Sequence, residues 1–196
     1  SGDFDLIAID ATDLSPLANL TNVSGRLYLF GNPLTNLTGL DNLTSTGTDL
    51  WIYANSNLLS MDGLSSLNLI GGDLLLVNND DMETLSGLDS LTEIQGSLLV
   101  DSNSDLINIS ALSNLASISV DATFTDNYSL CEDDITELTS AVTIGGTVTS
   151  TNNAGVCPTT CIGDYVVSDD ADLVNLTYCS TVTGNLTIDH PTATEI

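Results

Sequence analysis

Positive charge is almost absent from this chain. Arg26 is its one Lys or Arg, against 27 acids, for a net charge of −26 and a pI near 4.1. Nucleic-acid binding needs cations that neutralise phosphates, so it is excluded as a function. Anionic membrane surfaces are disfavoured for the same reason. What remains is solubility at high ionic strength, multivalent cations or cationic partners. A saline or calcium-rich exterior would screen such a surface. The acids are scattered rather than blocked, which argues against a disordered acidic tail. Long apolar runs are missing too. None approaches the ~18 residues of a membrane span, so no membrane insertion is expected. No signal peptide precedes Ser1, which reads as the start of a mature or excised product.

The groups that carry chemistry are equally scarce. A Ser/His/Asp triad needs a positioned histidine, and the single His190 lies near the end of the chain, where chance occurrence is the better account. Carboxylate pairs occur at Asp80-Asp81, Asp133-Asp134 and Asp169-Asp170. A glycosidase holds two carboxyls across a cleft with one pKa raised, and nothing here places two acids in that way. Solvated turn acids are the better reading, no catalytic residue is assigned, and an enzyme is not expected. No Cys-x-x-Cys and no EF-hand loop is present, so no metal ligand set is assigned and no cofactor is expected. One alternative stays open: turns such as Asn78-Asn79-Asp80-Asp81 offer oxygens to Ca²⁺.

What the chain has is repetition. Leu40, Leu64, Leu88 and Leu112 are 24 residues apart each time, as are Leu43, Leu67, Leu91 and Leu115. Asn55, Asn79, Asn103 and Asn127 form a third ladder. A fixed period of this size marks a solenoid, whose units bury their apolar faces only by stacking. Within Gly71–Ile94, the run Asp73-Leu74-Leu75-Leu76-Val77 has strand alternation, with Leu74 and Leu76 inward. The equivalent inward pairs are Leu27/Leu29, Leu50/Ile52 and Leu98/Val100, weakening to Ala122/Phe124 and Val148/Ser150. The Gly71-Gly72 and Gly145-Gly146 pairs suit tight corners of positive φ. The Asn ladder fits a turn after the strand, with each amide pairing to backbone of its own coil and the next. The following Leu-x-x-Leu-x-Gly-Leu-x-x-Leu run has a helix-like spacing, but Gly39, Gly63 and Gly87 in its middle favour short strands and turns.

The repeated alternation of GGDLLLVNN and LSGLDSLTEI resembles the receptor L-domain superfamily, and more closely the L-domain-like repeats of bacterial and fungal surface proteins. The resemblance covers nearly the whole chain, five repeats in register. It implies an all-β solenoid, a right-handed single-chain β-helix of ~24-residue leucine-rich coils. It also implies an extracellular protein, secreted or at the cell surface, that binds or builds without catalysis. It names no ligand.

Residues 1–157 read as one complete module: an N-terminal cap at 1–24, coils over 25–144 and a last, polar coil at 145–157. A polar final repeat lets a solenoid end in water. Residues 158–160 form a joint. Residues 161–196 read as the incomplete start of a second module, because Gly163-Asp164-Tyr165 echoes Gly2-Asp3-Phe4 and Thr183–Ile188 echoes Ser24–Leu29. The cysteines are Cys131, Cys157, Cys161 and Cys179, which allow three pairings. Cys131–Cys157 with Cys161–Cys179 is favoured, since it ties the fifth-coil turn to the last coil and closes the next cap. Caps of the resembling family carry a Cys pair, and the first cap here lacks one. Eight Asn-x-Ser/Thr sequons begin at Asn19, Asn22, Asn36, Asn42, Asn108, Asn127, Asn175 and Asn185. Asn-Leu-Thr also arises from the repeat itself, so most are expected to be bare.

If Leu50 and Ile52 point inward, Trp51 and Tyr53 point out. The same register places Tyr28, Phe30, Leu75, Val77 and Leu99 on the outward face. Four of the chain's nine aromatics share this patch, and towards the C-terminus the face turns to threonine. An apolar patch marks an interaction site. The expected partner of Tyr28, Phe30, Trp51, Tyr53, Leu75, Val77 and Leu99 is another copy or module, in a fibre or surface layer. The alternative is an adhesin or receptor-like module that holds a glycan or another surface protein there.

Overall fold

The computed structural model describes residues 2–9, 12–157, 159–161, 165–167 and 179–188. It comprises two compact units, Ser1–Gly155 and Val156–Ile196. In the first, each coil contributes one long and one short strand. In chain order these are β1 (Phe4–Ile7), β2 (Asn22–Val23), β3 (Leu27–Phe30), β4 (Ser45–Thr46), β5 (Leu50–Tyr53) and β6 (Leu69–Ile70). There follow β7 (Leu74–Val77), β8 (Glu93–Ile94), β9 (Leu98–Asp101), β10 (Ser117–Ile118), β11 (Ala122–Thr125), α1 (Glu132–Ala141), β12 (Thr143–Ile144) and β13 (Val148–Thr151). The odd strands form a seven-stranded sheet and the even strands a six-stranded one, each in sequential order and paired in parallel. This is the expected β-solenoid. The segment read as a cap supplies β1 to the large sheet, which pairs with β3.

Every inward pair from Leu27/Leu29 to Ala122/Phe124 is fully buried. The leucine runs line the remaining walls, with Leu40, Leu64, Leu88 and Leu112 all at 0 % exposure. The runs of Leu40, Leu64 and Leu88 are turns closed by backbone N–H to C=O bonds three residues back, as the central glycines suggested, whereas the Leu112 run, which lacks the glycine, is a 3-10 helix, Ser110–Asn114. On the last strand, Val148 is 48 % exposed. Its inward side is the weak one that the sequence marks by Val148/Ser150.

Two expectations need correction. The Gly71-Gly72 and Gly145-Gly146 pairs do not have positive φ; that conformation belongs to Gly31, Gly39, Gly63 and Gly87. The paired glycines are there for proximity. A Cβ on Gly71 would collide with the Gly47 carbonyl oxygen, and one on Gly72 with the Asp49 carboxylate. The second concerns α1, which lies in a stretch read only as part of the coils of an all-β solenoid. Glu132 and Asp133 open its first turn, where negative charge suits the helix dipole. Ile135 and Leu138 bury its inner side. The Asn ladder steps by 26 residues over this coil, from Asn127 to Asn153, and so accommodates the helix.

The ladder is longer than its exact period shows. Asn32 and Asn153 join Asn55, Asn79, Asn103 and Asn127, and all six are buried. Each oxygen from Asn55 to Asn153 accepts the backbone N–H of the Asn one coil back. Each amide donates to a strand carbonyl of the preceding coil, for example Asn79 to Ile52 and Asn103 to Leu76. Asn79 is therefore committed to the fold rather than available to a cation. Asn127, the only fully buried sequon asparagine among the described residues, is closed to glycosylation in the folded chain.

Cys131 and Cys157 form a disulfide, as expected, and no described cysteine is free. In the second unit, β14 (Thr159–Cys161) pairs in parallel with β16 (Cys179–Val182), and β15 (Tyr165–Val167) with β17 (Leu186–Ile188). The side chains of Cys161 and Cys179, together with His190, the Asp169-Asp170 pair and the Asn175 sequon, lie outside the described residues.

Candidate functional site: the outward face of the large sheet

The register brings the outward residues into two rows. One row runs Asp5, Tyr28, Trp51, Leu75, Leu99, Thr123 and Thr149. The other runs Ile7, Phe30, Tyr53, Val77, Asp101, Thr125 and Thr151. All seven residues expected on this face are on it. Val77 departs from the expectation of an accessible contact: it points outward but is only 8 % exposed, a short side chain beside the bulkier Tyr53. Tyr53 is 38 % exposed, and Tyr28, Phe30, Trp51, Leu75 and Leu99 are half-buried. The Thr half has its own polar links, including a short hydrogen bond from the Thr125 hydroxyl to the Asp101 carboxylate.

The four aromatics form one connected cluster. Phe30 and Tyr53, on adjacent strands, stack at 5.5 Å between ring centres and 20° between planes. Tyr28 meets Trp51 edge-on at 5.8 Å, and Tyr28 and Phe30 are tilted at 5.9 Å.

Sequence reasoning missed Arg26. Its guanidinium carbon lies 4.8 Å from the Trp51 ring centre and 5.2 Å from that of Tyr28. It also donates to both Asp5 carboxylate oxygens, at 2.9 and 3.1 Å. The Asp5 hydrogen bond raises the guanidinium pKa above its ordinary value. Desolvation opposes that shift, while the charges of Asp5, Asp3 and Asp49 add to it. The signal was available: Arg26 immediately precedes the first full strand and is the chain's only Lys or Arg. Two polar atoms here are buried without a partner, Arg26 Nε and Trp51 Nε1.

A margin of carboxylates borders the face at the strand entrances. Asp3 accepts the Arg26 N–H, Asp49 the Asp73 N–H, Asp73 the Ser97 N–H and Asp121 the Thr147 N–H. Hydrogen bonds from the Thr147 backbone and side chain hold the Asp121 carboxyl below its usual range. Among the described residues, one group brings three potential metal ligands together, Cys131, Asp133 and Cys157. Its two sulfurs are already joined in the disulfide.

The sequence profile described as "Receptor L domain" matches residues 68–165, half of the chain. The chain belongs to the receptor L domain family. No curated protein and no solved structure shows a significant match to this L domain. No described helix of it is long and apolar enough to cross a membrane.

Proposed function

We propose that this L domain is a non-catalytic extracellular module that binds a protein partner through the aromatic half of its outward sheet face. The stacked Phe30–Tyr53 pair carries this reading. Its rings are stacked on each other, and Arg26 lies over the other two aromatics, Tyr28 and Trp51. A pyranose needs an open ring face to lie on, whereas the side chains of a protein pack on ring edges and on the neighbouring leucines as well. The disulfide of Cys131 and Cys157 accords with an oxidising exterior. Family membership supports a receptor-like, ligand-binding role.

A second reading, self-association in a fibre or surface layer, is favoured by one observation. The rows continue as Leu75 and Leu99, which extends the apolar strip across four adjacent strands. The folded double variant Trp51→Ser with Tyr53→Ser tests both, by sedimentation and by protein and glycan arrays. Loss of a wild-type protein interaction supports the proposal. Wild-type oligomers that the variant dissolves assign the face to self-association. Interactions identical in both proteins remove the face from consideration.

A further inference from the structure

The face already holds a cation of its own. Arg26 lies over Tyr28 and Trp51 and is paired with Asp5. Around that single positive charge stand three carboxylates, Asp3, Asp5 and Asp49, with Asp73 next along the margin. The locality therefore has negative charge in excess beside rings whose electron-rich faces attract cations. An uncharged partner pressed onto it would desolvate those carboxylates without pairing them. A second copy has no lysine to offer, and its one arginine is engaged in the same way. Charge complementarity thus selects a cationic partner. A guanidinium suits the site better than an ammonium, because its plane stacks on an aromatic face, as that of Arg26 does over Trp51 and Tyr28, while its edge donates to a carboxylate.

Resting on the protein-binding reading of this face, we propose that it takes an arginine-rich segment of a partner protein. A guanidinium stacks on Tyr28 and Trp51 in the place of Arg26, with the Phe30–Tyr53 pair beside it, and the segment pairs with the margin of Asp3, Asp49 and Asp73. Arg26 is the internal competitor for this position.

The probe is a tetra-arginine amide titrated into the full chain at roughly 20 mM salt, where screening is weak. Emission of Trp51, the chain's one tryptophan, is the readout. The expected result is saturable quenching that weakens about tenfold in Phe30→Ser with Tyr53→Ser, the size of a desolvated cation–π contact. Circular dichroism melts show whether that variant is folded. Arg26→Ala provides a second route: with the competitor gone, tetra-arginine binds more tightly. Asp105→Asn, at an exposed acid outside the outward rows, leaves the affinity unchanged. Equal affinity across all variants would reduce the effect to general attraction by a −26 chain, and weaker binding to Arg26→Ala would refute the competitor role. If tetra-arginine leaves Trp51 unaffected while the Trp51→Ser/Tyr53→Ser variant still loses a protein interaction, only the cationic chemistry falls. Loss of neither removes the face itself.

Discussion

The side-chain oxygen of Asn103 accepts the backbone N–H of Asn79 at 3.0 Å, and the Asn79 oxygen does the same for Asn55 at 3.1 Å. Each asparagine therefore satisfies a corner of its neighbour that no water reaches. Asn79→Ala leaves the Asn55 N–H without its acceptor and removes the Asn79 donor to Ile52. At about 1–3 kcal/mol for each buried group, the loss is roughly 2–6 kcal/mol, read by denaturant unfolding.

The residues just before the ladder are left-handed, Ala54 at φ 55 and Ser102 at φ 56 among them. A Cβ is strained there, so Ala54→Gly raises stability by up to about 1 kcal/mol. Gly63→Ala has the opposite effect, because at φ +111 its Cβ would also strike the Leu37 carbonyl oxygen. Paired urea melts of the two variants check both signs.

Asp134 in α1 has its carboxyl pKa raised, by burial first and then by Glu137 and Asp133. A folded pKa above the unfolded one means that the ionised form opposes folding. The penalty is present at neutral pH and disappears as pH falls below the ordinary carboxylate range. Asp134→Asn is therefore more stable than wild type at pH 7 and equal to it near pH 3, as thermal melts at the two values would show. Asp121 has the reverse sign: its hydrogen bonds to Thr147 depress the pKa, so its contribution holds above the unfolded value and is lost on acidification.

Reduction of the Cys131–Cys157 disulfide opens a loop of 26 residues. The chain-entropy model gives about 3.5 kcal/mol for such a closure. Unfolding with and without reductant measures it.

A net charge of −26 repels itself, so the melting temperature rises from dilute buffer to ~0.5 M salt, where screening reaches within a few ångström. Differential scanning calorimetry at the two ionic strengths reads the shift.

By itself the sequence determined the coil. Alternation in Leu74–Val77 fixed which side chains face inward, because a strand has a period of two. The 24-residue spacing of Leu64 and Leu88 fixed the stacking, because each coil buries its leucines only against the next. Those are local rules repeated, and repetition makes them legible. Tertiary structure alone decided what depends on the neighbouring coil. Gly71 and Gly72 are glycines because backbone and a carboxylate of the preceding coil approach them, not because of their own φ. Val77 alternates outward yet is only 8 % exposed, next to Tyr53 in the row. Arg26 reads as an isolated charge in the chain. It becomes part of the face only when parallel pairing sets Asp5, Tyr28 and Trp51 side by side in one row, residues 23 apart that meet across strands ~4.8 Å apart.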